Sequence, residues 1–562
     1  MNTVFRLLPI VALTSLLGAC GSTGSTGAAG ANGTNGTNGT NGAAGANGTN
    51  GTNGTNGATG ATGSTSSFNA GDLLVTRSIY GTGTNIPNIV IGAALPGGGT
   101  AVSDGTYPNV FNNETPDASF GVTSSIYLDE MNPATPNAVN ARNITAMAAA
   151  QGMNLSTSFP SKSELALNVS SDRKSLTFMA YNALTNQLDI SNTDTPDVAD
   201  SSNPVTAGGI ARPTYRTATQ LYFADSSMSF TNTSAYSGNN GRAVVLNNNQ
   251  FYIVGNAGNS GKPKPTGTVL SNLSDVTGVQ TIGLNSISPL TTAVGAVQGT
   301  FGNATGYQHG FSITSVIDPA TGIAAVADKT GKDDNFRGLT VGPDGTMYVS
   351  KGSGGNGVNT VYQVGANGAL ANGAQLNPAT ATITIAPGFS TTPASAATGV
   401  IYPFGIWLPT PTTMFVADEG DGVVGNATKS SGGLYEYTFA NGKWTQVASF
   451  TTGLNLGVAY NVVDTGKNYG AAGTAAASYS TAADGLRNIT GKVNADGSYT
   501  IYAVTSTIAP AAGAGLNDPG AEANQLVAIN VKGTTSATGF SLLRTAPYGQ
   551  VLRGVAIVPT AP

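Results

Sequence analysis

Four arginines recur in one local setting, and their side chains are the first candidates for chemistry. Each opens a run of the form Arg, small residue, aliphatic, any residue, apolar or Gly: Arg242-Ala243-Val244-Val245-Leu246, Arg337-Gly338-Leu339-Thr340-Val341, Arg487-Asn488-Ile489-Thr490-Gly491 and Arg553-Gly554-Val555-Ala556-Ile557. A guanidinium presents a planar fork of N–H donors that matches a carboxylate or phosphate. A set of four is therefore a candidate anion-binding site. The structural alternative, favoured here, is that each arginine ties to an acidic residue of a neighbouring repeat, for which Asp333, Asp334, Asp418, Glu419 and Asp484 are available.

Other reactive groups are sparse. Asp418, Glu419 and Asp421 stand together in Asp418-Glu419-Gly420-Asp421-Gly422, and hard carboxylate oxygens of that kind are candidate ligands for a divalent cation such as calcium. The stretch lacks the spacing of an EF-hand loop, so a solvated turn is the competing and favoured reading. His309 is the sole histidine, so a His-based triad or multi-histidine metal site would rest on it alone, and a structural role fits it better. Two stretches fit Gly-x-Gly-x-x-Gly, at Gly352, Gly354, Gly357 and at Gly420, Gly422, Gly425. Neither opens a helix, so both read as loops and not as dinucleotide sites. There is no Gly-x-Ser-x-Gly elbow.

These residues sit among many short strands. Runs of β-branched and aromatic residues are separated by Gly, Asn, Asp and Pro clusters, the pattern of strands joined by turns. Residues 337–341 and 347–351 flank the turn Gly342-Pro343-Asp344-Gly345 and predict a hairpin, with 360–364 as the next strand. Residues 404–408, 414–418, 434–439 and 444–450 predict a four-strand meander, and four strands is the unit size of a propeller blade. Helical periodicity is almost confined to 144–151.

The first three arginine strands are each followed by a second apolar strand, at 251–254, 347–350 and 499–504, and residues 405–408 and 165–169 look like degenerate copies lacking the arginine. The fourth, 553–557, has no partner after it. Its expected partner is the N-terminal strand 73–77, which would close a ring by pairing the two ends of the body. Trp407 reads as core and Trp444, after a tight turn, as partly exposed.

With these blade motifs on view, the chain resembles the broad group of NHL-like and gluconolactonase-like β-propellers, in which an inner strand is followed by a Pro-Asp-Gly or Asp-Gly turn and a second strand. The resemblance covers most of 68–562. It implies an all-β propeller of about seven four-stranded blades, with six or eight also compatible, and puts the four arginines around one mouth of the channel. It also implies, for gluconolactonase-like enzymes, a divalent metal in the channel held by acidic and Asn side chains, which are not matched residue by residue here. A pair of β-sandwich domains is the alternative fold.

Ahead of the body stand two further segments. Residues 1–20 carry one charge (Arg6), an apolar stretch from Leu7 to Leu17 and then Gly18-Ala19-Cys20, the parts of a secretory signal too short to span a bilayer. Their end resembles the lipobox of bacterial lipoproteins, which implies that Cys20 becomes the acylated first residue of an exported, membrane-anchored chain. From Gly21 to Gly63 glycine then falls at every third position, within a stretch without proline. Only glycine fits the axis of a collagen triple helix, so 21–67 reads either as a trimeric collagen-like stalk or as a flexible polar tether.

Composition narrows the function. Charged residues are 9% of the chain and net charge is -5, against about 25% charged residues in ordinary domains. No basic stripe exists, so nucleic acid is not an expected partner. Cys20 is the only cysteine, so no disulfide can form within the chain. The reading reached is a membrane-anchored, surface-displayed β-propeller acting as a binding module for a protein, glycan or small molecule in the cell envelope. The alternatives are a gluconolactonase-like metal-dependent hydrolase and a structural surface component on a trimeric stalk.

Overall fold

The strands are apolar on consecutive residues, and the reason is that both faces of each sheet are buried. Val244 packs with Met179 and Ala218 of the preceding sheet, whereas its neighbour Val245 packs with Leu339 and Met347 of the following one. Ile501 and Tyr502 divide in the same way between two different clusters. Side chains alternate across a strand, so a sheet wedged between two others needs apolar residues at both parities.

The computed structural model describes residues 68–79, 123–137, 139–159, 161–185, 215–233, 235–236, 240–256, 278–284, 335–352, 358–378, 380–392, 394, 400–423, 432–462, 479–508, 522–547 and 549–560, together with the short strands Val102–Ser103, Phe111–Asn112, Thr292–Ala293, Ser315–Ile317 and Ala324–Val326. The leader, Cys20, the Gly-X-Y tract, His309, Asp333, Asp334, Gly354, Gly357 and Gly425 lie outside these residues.

Six antiparallel units of four or more strands stand among the described residues, where the sequence suggests about seven, and the first two are joined into one nine-stranded sheet by Leu155–Ser158, which pairs with both Thr123–Met131 and Ser175–Asn182. In the first, Gln550–Ile557 leads to Leu73–Ile79, Thr123–Met131 and Val139–Asn143. The second runs Asn168–Val169, Ser175–Asn182, Arg216–Tyr222, Met228–Thr233. The third runs Gly241–Asn247, Gln250–Gly255, Gly278–Gly283, Thr292–Ala293. The fourth is Leu339–Val341, Met347–Lys351, Thr360–Val364, Ile383–Ile385, which includes the expected Pro-Asp-Gly hairpin. The fifth is the expected meander, Pro403–Thr410, Thr413–Asp418, Gly433–Ala440, Lys443–Phe450. The sixth is Tyr479–Val493, Tyr499–Ile508, Gln525–Val531, Ser541–Thr545, with Ala459–Val462 added along the start of its long first strand.

A separate apolar cluster fills each gap between neighbouring units, from first–second through to sixth–first. The sheets therefore follow one another around a ring, as in a propeller, and do not face each other in pairs as in two sandwiches. Closure comes where expected: Leu73 pairs with Ile557, Val75 with Val555 and Arg77 with Leu552. The helix is Ile144–Ala149, capped by Asn143, whose side chain accepts from the Ala146 N–H at 3.0 Å. Trp444 corrects an expectation. It is 2% exposed, set in the fourth–fifth cluster against Phe439 and Tyr348, because its strand turns this ring toward the neighbouring unit. Trp407 is partly buried against the fifth–sixth core.

Candidate functional site

The repeat fixes how the first strands meet. The position after the arginine lies against the next unit: a Cβ on Gly338 would collide with Phe404 O, on Gly405 with Arg487 O, and on Gly554 with Leu165 O. At the sixth unit Asn488 stands there, and its Nδ2 donates to Arg553 O at 3.0 Å. The demand for a small residue is thus a demand for close approach of two backbones.

All four arginines are buried, between 3% and 7% exposed. Arg242 Nε donates to Asn240 Oδ1 at 3.1 Å and its Nη1 to Phe336 O at 2.8 Å and to Asn335 Oδ1. Arg337 Nη1 donates to Ser163 Oγ. Arg553 Nη2 donates to Phe159 O, and its Nε lies 3.4 Å from Ser78 Oγ. Arg487 Nε pairs with Glu419 Oε2 at 3.3 Å. This last contact is an acidic tie between units of the kind the sequence suggests, while the described contacts of the other three arginines include carbonyl and hydroxyl oxygens.

All four arginines connect, two directly and two through a neighbouring side chain, to one segment that sequence reasoning missed. Residues 159–165 connect the first unit to the second. Phe159 O and Ser163 Oγ accept from the first and fourth units' arginines, Ser161 Oγ accepts from Asn240 Nδ2 beside the third at 2.8 Å, and Lys162 Nζ pairs with Glu419 Oε1 of the fifth at 3.3 Å. Leu165 O accepts from Thr76 Oγ1 of the first at 2.9 Å. A segment touching units on opposite sides of a ring must cross its axis. It is held tightly there: Glu164 accepts from Tyr181 OH at 2.5 Å, Thr157 Oγ1 at 2.6 Å and the Ser158 N–H at 2.9 Å, and Leu165 sits at φ 62°, a left-handed conformation rare for leucine. Its one visible signal in the sequence is Ser161-Lys162-Ser163-Glu164, small and charged residues directly before a degenerate inner strand.

Charge is concentrated around Glu419. Burial alone would raise its carboxyl, but Lys162, Arg337 and Arg487 together outweigh burial and hold it below the ordinary range. Lys162 is pushed down to about 8 by burial, with Glu419 opposing and the two guanidiniums adding to the fall. Glu164 is raised by burial, against the pull of its three donors.

The other candidate metal carboxylates have different partners. Asp418 Oδ1 accepts from the Gly420 and Tyr402 N–H groups at 2.9 and 3.1 Å, and burial pushes its carboxyl up to about 6. Asp421 Oδ1 accepts from the Val423 N–H at 2.8 Å. Asp484, brought against this turn, accepts from the Gly422 N–H at 2.8 Å and is pushed up to about 7 by burial. Gly420, at φ 80°, leaves no room for a Cβ beside that carboxylate. Among the described residues no three His, Cys, Asp or Glu side chains form a group that could hold a metal ion. The reason here is that Glu419 turns to Lys162 and Arg487 while Asp418 and Asp421 cap backbone N–H groups.

Residues 16–68 match the family model described as collagen triple helix repeat. That is the Gly-X-Y tract. No curated protein matches the chain. Among solved structures, the chain is similar to the hypothetical selenium-binding protein of Sulfolobus tokodaii, at 8% identity over 87% of this chain and 94% of that one with TM-score 0.34. It is also similar to a 6-phosphogluconolactonase-like protein of Bacteroides uniformis, at 11% identity over 85% and 83% of the two chains with TM-score 0.33. At these values neither likeness bears on activity.

Proposed function

We propose that the chain is an envelope-anchored interaction module: Cys20 is acylated, residues 21–67 act as a spacer, and the propeller-like body is presented to a protein, glycan or small-molecule partner. The observation that supports this reading best is the Gly-X-Y tract at 21–63, within the collagen-like match at 16–68, which stands between the lipobox-like cysteine and the body. A polar Gly-X-Y tract buries no core of its own, so its contribution is reach or trimerisation. As an extended rod its roughly 45 residues would span about 140 Å at about 3.1 Å each.

The test is acyl labelling and detergent partitioning of the full chain and of Cys20→Ser. The parent should take up labelled fatty acid and enter the detergent phase, and the variant should do neither. Equal partitioning of the two would refute anchoring. Sedimentation of the full chain, with and without residues 21–63, decides between a trimeric stalk and a monomeric tether.

A further inference from the structure

Two carboxyls enter the junction between the fifth and sixth units without a full set of partners. Glu436 stands on the third strand of the fifth unit, opposite Phe415 on one side and Ala448 on the other. Directly opposed residues share a face of the sheet, and Phe415 and Ala448 both pack into the fifth–sixth cluster, so Glu436 points there too. It is 4% exposed, and its Oε2 has no hydrogen-bond partner among the described residues. Asp484 belongs to the first strand of the sixth unit. Its Oδ2 accepts from the Gly422 N–H at 2.8 Å, but its Oδ1 has no partner among the described residues, and the residue is buried.

The two units approach too closely here to hydrate a charge. A Cβ on Gly405 of the fifth unit would collide with Arg487 O of the sixth, one on Gly485 of the sixth with Asp418 O of the fifth, and one on Gly432 with Asp484 O. The Trp407 ring covers Gly491 in the same way, and its centroid lies 5.7 Å from that of Phe415 and 6.0 Å from that of Tyr499. An unpaired carboxylate in such a setting is costly, and the neutral acid costs far less. Burial alone pushes Glu436 up to about 7. Asp484 is also pushed up to about 7, by burial first, with Asp421, Glu419 and Asp418 adding to the rise and the Gly422 N–H opposing it. The cations on the strands packed here are directed elsewhere: Arg487 to Glu419, Arg544 to Asp129, with Lys443 and Lys492 exposed.

We propose that the junction of the fifth and sixth units is a pH-sensitive seam: Glu436 and Asp484, one from each facing unit, let it close as neutral acids and loosen it when they lose their protons. This goes beyond the anchoring reading and is independent of it. Because the neutral forms favour the closed seam, their contribution is complete at low pH and is lost as pH rises through about 7. Against exposed values of about 4.3 for Glu and 3.9 for Asp, each carboxyl should raise the opening equilibrium about twenty-fold between pH 5.5 and 7.5. Asp418, pushed up to about 6, adds a smaller share, about four-fold by the same reasoning. Over this range Lys162, pushed down to about 8, keeps most of its charge, and Tyr402, Tyr435 and Tyr437, all raised by burial, stay neutral.

The test is hydrogen exchange of the full chain at pH 5.5 and 7.5, each rate divided by the intrinsic amide rate at that pH. Protection of the two first strands that face each other, Pro403–Thr410 and Tyr479–Val493, should fall by at least about twenty-fold on going to pH 7.5. The corresponding strands of the third and fourth units, Gly241–Asn247 and Leu339–Val341, should change little. Glu436→Gln and Asp484→Asn should each remove part of the fall, and the double variant should keep no more than the share of Asp418. A fall below about ten-fold in the parent chain overturns the proposal, and so does an equal fall at the third–fourth junction; neither readout needs a variant. A double variant that loses protection as far as the parent overturns it as well.

Discussion

Asp129 is the point where loss of one group should cost the body most. Its Oδ2 accepts from Arg77 Nε and Arg544 Nη1, each at 2.6 Å, and its Oδ1 from Arg77 Nη2 at 2.8 Å. The carboxylate is fully buried, with Arg77 side chain 8% and Arg544 18% exposed. Asp129 lies in the first unit and Arg544 on the last strand of the sixth, so the group joins the two units that close the ring. Asp129→Ala leaves two guanidiniums facing each other without their acceptor. Breaking a buried pair in this way costs about 3–5 kcal/mol, and the lower part of that range is expected because Arg544 can turn toward water. Unfolding entropy of about 2.1 cal/mol/K per residue, over roughly 500 residues, is about 1 kcal/mol/K, so the midpoint should fall by about 3–4 °C. Calorimetry with denaturant titration measures both quantities. Replacing all three groups together, Asp129→Leu with Arg77→Met and Arg544→Met, should recover most of the loss, since an apolar triad of similar volume carries no desolvation cost. A loss below about 1 kcal/mol in Asp129→Ala, or a triple variant no better than the single one, would refute the reasoning.

Two further outcomes follow from burial and closure. Burial pushes Asp484 up to about 7 and Asp418 up to about 6, above the unfolded value of about 3.9. Their stabilising contribution is therefore complete below about pH 4 and is lost as pH rises through 6 to 7. Asp484→Asn, which keeps an acceptor for the Gly422 N–H, should melt higher than the parent at pH 8 and at about the same temperature at pH 4; a variant that melts lower at pH 8 contradicts this. Deleting 550–562 removes buried Val551, Leu552, Val555 and Val558, worth about 6–12 kcal/mol at about 1.5–3 each, the scale of a whole domain's stability. It also bares one edge of Leu73–Ile79, so aggregation is expected, and cooperative melting at the parental temperature would argue against closure through this strand.

What the chain itself determined is local. Runs of apolar residues and the turn Gly342-Pro343-Asp344-Gly345 were enough to place the hairpin at 337–351 and the meander at 404–450, because turn chemistry and strand length act within a few residues. The orphan strand at the C-terminus was enough to pair it with 73–77, since a four-strand unit missing one member points to the place where one is left over. Tertiary structure alone decided the partners of the arginines. The pattern Arg-small-aliphatic specified the close approach at Gly338 and Gly554, which is a property of the repeat, but each guanidinium reaches several ångströms from its backbone and meets whatever crosses the axis. For Arg337 and Arg553 that is Ser163 and Phe159, in a stretch whose Ser161, Lys162 and Ser163 show no periodicity to betray them, whereas Arg242 reaches Asn240 and Phe336 and Arg487 reaches Glu419. The same holds for Trp444, which a turn-adjacent position suggested to be partly exposed and which the neighbouring unit covers. Burial between units depends on how sheets stack around a ring, and that order is written in no single segment.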